Sequence, residues 1–196
     1  MSKLHFRFDL AKFIQALVFL SKGGVSDLTK LKAAKLLYFA DKEHLLKYGR
    51  PIIGDVYYAL NLGPLPSQAD DFLEEIEVAN AAGPTTPEHE EFLRYLDVVQ
   101  DYWHRYVARG EENFRVFSKS DLQILGEVAT RYGKLHWKQL VNLSHEEPAY
   151  KLADKARKPN GRALMPYETF FEGVDREMLD VAEAEQEHRD LVAALR

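Results

Sequence analysis

The chain has 196 residues and no cysteine, which removes disulfides, thiolate nucleophiles and cysteine-ligated zinc together. That fits a reducing compartment. No run approaches the ~20 consecutive apolar residues that span a bilayer. The opening MSKLHFRFDL lacks the apolar stretch of a signal peptide, so the reading is a soluble, cytoplasmic protein without membrane contact. Neither GxxxxGK[ST] nor GxGxxG occurs, and a phosphate-binding loop is not expected. GxSxG and HExxH are missing as well. An excess of positive charge is also lacking. A net charge of −5 and a pI near 5.8 argue against nucleic-acid binding as the main activity.

Enough remains to build a core. Hydrophobic residues make up 46% of the chain and charged residues 29%, and a globule of this size buries roughly 70% of its unfolded surface. Asp9 can cap a helix whose Leu10, Phe13, Ile14, Leu17 and Val18 share one face, with Gly23-Gly24 at its end. Ser26 or Asp27 then caps a second helix, ended by Gly49 and kept from resuming by Pro51. Its apolar side chains, from Leu28 through Leu36, Leu37, Tyr38 and Phe39 to Leu46, cover more than one face, as in a central helix.

Val56–Leu60 reads as a short strand followed by a Gly63-Pro64-Leu65-Pro66 turn, with Ser67 capping a helix to about Val78. Residues 81–87 form a loop, and the spacing of Phe92, Leu96, Val99, Trp103 and Tyr106 predicts a helix over 88–109. Asn113–Phe117 is the expected partner strand for Val56–Leu60, since a lone strand leaves its backbone groups unpaired. Ser118 or Ser120 starts a helix ending at Tyr132-Gly133, and another covers 135–143. The expected fold is mainly α, with some β: a bundle of six or seven helices around a central apolar helix, with one two- or three-stranded antiparallel ribbon. Residues 1–156 form the body. Residues 157–196 form a C-terminal extension, a basic loop and then an acidic helix.

Little here looks catalytic. His145-Glu146-Glu147 sets a histidine beside carboxylates, but neighbours in sequence do not share a helical face. The serines Ser67, Ser118, Ser120 and Ser144 fall where helix caps or ends are wanted. A hydrolase using His145 and Glu146 is therefore the weakest reading, and no metal or cofactor is expected. Lys151, Lys155, Arg157, Lys158 and Arg162 could contact phosphates, which would suit a DNA-binding autoregulator of its own operon. They could equally form a solvated face or pair with the acidic tail, and no helix carries the basic, amide-rich face of major-groove readout.

The residues over 30–67, KLKAAKLLYFADKEHLLKYGRPIIGDVYYALNLGPLPS, resemble the Panacea domain family of SocA-like, phage-associated proteins. The resemblance lies in Lys35-Leu36-Leu37-Tyr38-Phe39-Ala40, Tyr48-Gly49-Arg50-Pro51-Ile52 and Gly63-Pro64-Leu65-Pro66. A second block, FSKSDLQILGEVATRYGKLHWKQLVNLSHEEPAY, is similar to the family's later signature. Together they cover residues 28–150, with Leu62 standing where an aromatic is frequent before Gly-Pro and Tyr150 where tryptophan is common.

The resemblance implies an antitoxin without enzymatic activity. It would neutralise a cognate protein toxin encoded beside it through direct contact, in some members by delivery to a protease. Rigid aromatic area beside a turn is good binding material. Tyr57, Tyr58, Asn61, Leu62, Gly63 and Pro64 are therefore the expected contact residues.

Overall fold

Helix α1, Leu10–Lys22, begins where the Asp9 carboxylate accepts the Lys12 N–H at 3.0 Å. The structure, a computed structural model, describes residues 4–25, 27–174 and 176–194. Helix α2, Lys30–Tyr48, is capped by the Thr29 hydroxyl. Ser26, one expected cap, lies outside the described residues, and Asp27 instead pairs with the Lys32 ammonium. The helix ends at Gly49, whose φ of 71° is the left-handed conformation that favours glycine. Twelve of its residues are buried. Helices α3 (Ser67–Ala82), α5 (Lys119–Tyr132), α6 (Trp137–His145) and α8 (Arg176–Ala194) all pack on it, so it is the central helix that its apolar circumference indicated.

Two small sheets accompany the helices. In the first, β1 (Tyr57–Leu60) lies between β2 (Gly63–Pro66) and β5 (Ala163–Leu164), all antiparallel. The expected Gly63–Pro66 turn is thus the return strand of a two-residue hairpin, with Leu60 paired to Gly63 across Asn61-Leu62. Its two prolines are tolerated because β2 is an edge strand, where missing N–H donors face no neighbour.

The expected partner, Asn113–Phe117, does not pair with β1. It contains a single 3₁₀ turn, Phe114–Val116, held to α1 by Gln15, which accepts the Asn113 N–H at 2.7 Å, and by Phe114 stacked edge-on against Phe19. The backbone need that a second strand had to meet is met locally by β2 and remotely by β5.

The second sheet replaces most of the helix expected over 88–109. Helix α4, Pro87–Tyr95, stops early, and β3 (Leu96–Gln100) pairs with β4 (His104–Ala108) as an antiparallel hairpin. Phe92, Leu96, Val99, Trp103 and Tyr106 do fall at helical spacing. The β-branched and aromatic residues Val98, Val99, Tyr106 and Val107, however, favour a pleated surface. Docking onto the start of α2 decides between the two: Tyr106 donates its N–H to the Leu28 carbonyl at 3.0 Å.

After α5 and α6 come α7, Pro148–Ala156, the strand β5 and a 3₁₀ turn, Tyr167–Phe171, before α8. Phe170 packs against Tyr38 and Tyr57 at ring separations of 5.5 and 5.8 Å, and Met165, Tyr167 and Phe171 are buried beside it. Part of the segment beyond residue 156 therefore lies within the core around α2.

Candidate partner-binding site

The β1–β2 turn is supported from below by one buried cation. Lys35 projects from the middle of α2, and its ammonium donates to the Pro64 carbonyl at 2.6 Å. Burial pulls its pKa down to about 7, against the opposing attraction of Asp70. Gly63, with φ of 95°, lies directly over this group; a Cβ there would stand 3.0 Å from the Lys35 Nζ and overlap the Ser144 Oγ. Glycine is required both for the conformation and for the close approach.

Helices α6 and α7 brace the outer side. His145 lies flat on Tyr150, with ring centroids 4.7 Å apart, and the Tyr150 hydroxyl donates to the Leu60 carbonyl at 2.8 Å. Desolvation, reinforced by the nearby Lys35 charge, lowers the His145 pKa. Burial raises that of Tyr150. An Arg157 amino group donates to the Asn61 side-chain oxygen at 2.6 Å, and the Arg162 guanidinium sits 4.5 Å over the Tyr58 ring. Between the turn and α7 lies an open cleft of about 640 Å³, lined by Asn61, His145, Tyr150, Lys151, Asp154, Lys155 and Arg157.

The six expected contact residues divide sharply. Asn61 and Leu62 are exposed at the tip, with Leu62 half accessible, and Tyr58 is partly exposed beneath Arg162. Tyr57 faces inward, its hydroxyl donating to the Asp41 carboxylate at 3.0 Å. Gly63 and Pro64 are buried against Lys35. Alternation between the two faces of β1 separates Tyr57 from Tyr58, whereas Asn61 and Leu62 are exposed as the two-residue turn and Gly63 and Pro64 are covered by Lys35 and its neighbours. Among the basic residues, Lys151 pairs with Glu146 and Arg157 with Asp154. Arg162 is taken up by Tyr58, whereas Lys155 and Lys158 are exposed.

His145 and Glu146 do not come together as an acid–base pair, because Lys151 holds Glu146 at the surface while His145 turns under the hairpin. Among the described residues no group of three or more His, Asp or Glu is placed to hold a metal ion. None of those described forms a helix long and apolar enough to cross a membrane. Lys35 is the supporting residue that a reading of local pattern overlooks. Its signals are its place at the head of the Lys35–Ala40 motif and its setting among Ala33, Ala34, Leu36 and Leu37, where an apolar residue would be ordinary.

The family model for the antitoxin SocA-like, Panacea domain matches residues 34–151, more than half of the chain. The chain belongs to the Panacea family. No curated protein and no solved structure matches it. The match on this Panacea domain takes in α2 from Ala34, the β1–β2 hairpin, the β3–β4 hairpin, α5, α6 and the first turn of α7. Lys35, Gly63, His145 and Tyr150 all lie inside it. The second block noted in the sequence thus supplies, through α6 and α7, the brace for the turn formed by the first.

Proposed function

We propose that this Panacea domain is an antitoxin that neutralises the toxin encoded beside it by direct protein contact, with the β1–β2 tip inside the interface. The observation that carries the reading, beyond family membership, is the way the tip is presented. Leu62, a large apolar side chain, stands half exposed on a turn whose backbone is held by Lys35 and Tyr150 and whose neighbour Asn61 is held by Arg157. A turn fixed before contact loses little conformational freedom on binding, and that saving appears as affinity. Arg162 and Leu164 extend the exposed surface along β5, beside Tyr58.

Co-expression with each adjoining gene tests the reading. The neighbour should be toxic alone, harmless with this chain, and recovered in a complex with it. Leu62→Ala and Tyr58→Ala should together weaken that complex by about tenfold or more, the range of a central anchor. Unchanged affinity in a folded double variant would remove the tip from the interface. Toxin abundance separates two routes: occlusion leaves it constant, and delivery to a protease lowers it.

A further inference from the structure

The β3–β4 hairpin ends in Asp101-Tyr102-Trp103, and among the described residues these two aromatics are the most exposed large apolar side chains, at 97% and 74%. Neither belongs to the surface considered so far. Isolated exposed apolar residues are ordinary, but a tyrosine and a tryptophan together on one tip are not. These residue types dominate binding energy at protein interfaces.

The arm that carries them is fixed. Its strands pair over five registers, from Leu96 with Ala108 to Gln100 with His104. Tyr106 is buried, with its hydroxyl donating to Glu77 of α3 at 2.9 Å. The Ala108 N–H reaches the Ser21 hydroxyl of α1 at 3.0 Å, and an Arg109 amino group reaches the Leu93 carbonyl at 2.7 Å. The arm is therefore anchored to α1, α3 and the end of α4, with the rings left outside.

Charge indicates what would cover them. Residues 68–112, which run from α3 through the hairpin, carry twelve Asp or Glu against three Arg, while the whole chain is only −5. The rest of the molecule is consequently net positive. Within the hairpin Asp97 and Asp101 pair with Arg109 and Arg105, so the excess lies on the helices behind it. Helix α3 carries five Asp or Glu and no Lys or Arg, and α4 carries three Glu against Arg94. Glu77 of α3 touches both Tyr106 and His104 of the arm. An anionic membrane surface would be repelled by such a segment. A protein groove with an apolar floor and a rim of Lys and Arg would match it in both respects.

We propose that the Tyr102–Trp103 tip is a second docking element, which inserts into a cation-rimmed apolar pocket of the protein partner. The inference rests on the antitoxin reading for the identity of that partner, the toxic product of the adjoining gene. It does not depend on the β1–β2 tip. Trp103 is also a natural reporter, because Trp137 is the only other tryptophan.

The test uses the full chain carrying Trp137→Phe and the co-expressed toxic neighbour. Docking should shift Trp103 emission to the blue, and affinity should fall as salt rises. Tyr102→Ala with Trp103→Ala should weaken the complex at least about tenfold, and Trp103→Phe should retain most of the binding. Unchanged affinity in the folded double variant, or unchanged emission, would overturn the proposal. If Leu62→Ala still weakened the complex, the antitoxin reading would survive that result. Absence of any complex with the wild-type chain would remove both. Two control arms address other occupants: phosphatidylcholine vesicles with and without phosphatidylglycerol, and sedimentation of the chain alone. A blue shift on vesicles, or a dimer lost in the double variant, would replace the partner pocket with a lipid surface or a second copy.

Discussion

Asp41 shows how much one side chain can organise. Its carboxylate is wholly buried and accepts the N–H groups of Ile52 and Ile53 at 2.8 Å, that of Gly54 at 3.1 Å, and the Tyr57 hydroxyl at 3.0 Å. These bonds fold the Pro51–Gly54 loop back onto α2 and so place β1. Desolvation outweighs the four donors and lifts the pKa from 3.8 to about 6. Between those values the folded chain binds a proton that the unfolded chain does not. The group's contribution to stability is thus complete below 3.8 and is lost as pH rises through about 6.

Asp41→Asn should cost about 1–3 kcal/mol at neutral pH, because its amide nitrogen would face donors that need an acceptor. Urea denaturation across that range should show the wild type's advantage over the variant shrinking towards that neutral-pH value as pH rises. An advantage that does not change with pH would exclude this carboxyl as the titrating group.

Among the elements, helix α3 is the case where local pattern identified a helix but not its cap. Ser67 stands at the expected position, yet the cap residue is Pro66 and makes no side-chain bond. The orphan N–H groups of Gln68 and Ala69 are instead taken by Asp55, at 2.9 and 2.8 Å, from across the β1–β2 hairpin. Asp55→Ala should therefore destabilise the protein by about 1–2 kcal/mol, the usual cost of a lost cap, while Ser67→Ala should have almost no effect on the urea midpoint. The reverse order would restore Ser67 as the cap.

The same contrast explains what was legible. Helices α1 and α5 carry their own Asp9 and Ser118 caps and an apolar face, so they could be located from sequence. The β3–β4 hairpin and β5 depend on contacts with Leu28 and Tyr58 that are remote in sequence, and no local spacing announces them. In the candidate site, a turn after β1 was legible, but it was expected at Gly63–Pro66, which forms the return strand, while the turn itself is Asn61-Leu62. Lys35 and His145 were not legible as its supports, because burial and stacking are properties of the assembled fold.

At the scale of the whole molecule, α2 organises elements drawn from almost the full length of the chain. Tyr38 of α2, Tyr57 of β1 and Phe170 of the last 3₁₀ turn pack ring against ring at 5.4–5.8 Å with Phe39 alongside. The Tyr167 hydroxyl adds a bond to the Asp55 carbonyl at 2.7 Å. A segment tied in this way should not unfold by itself, since opening it would strip one face from Tyr38 and one edge from β1.

Phe170→Ala should thus cost about 3–5 kcal/mol, the range for removing a buried aromatic ring. The loss should be shared: amide exchange should accelerate to a similar degree in 163–171 and in the middle of α2, within a single far-UV unfolding transition. Faster exchange confined to 163–171, with α2 unchanged, would instead mean that residues 157–196 form a separate unit. The distinction matters for the antitoxin reading, because β5 lies along β1 beside the binding tip. If the segment is part of the cooperative core, a substitution as remote as Phe170 loosens the Tyr58 face and weakens partner binding with no contact of its own.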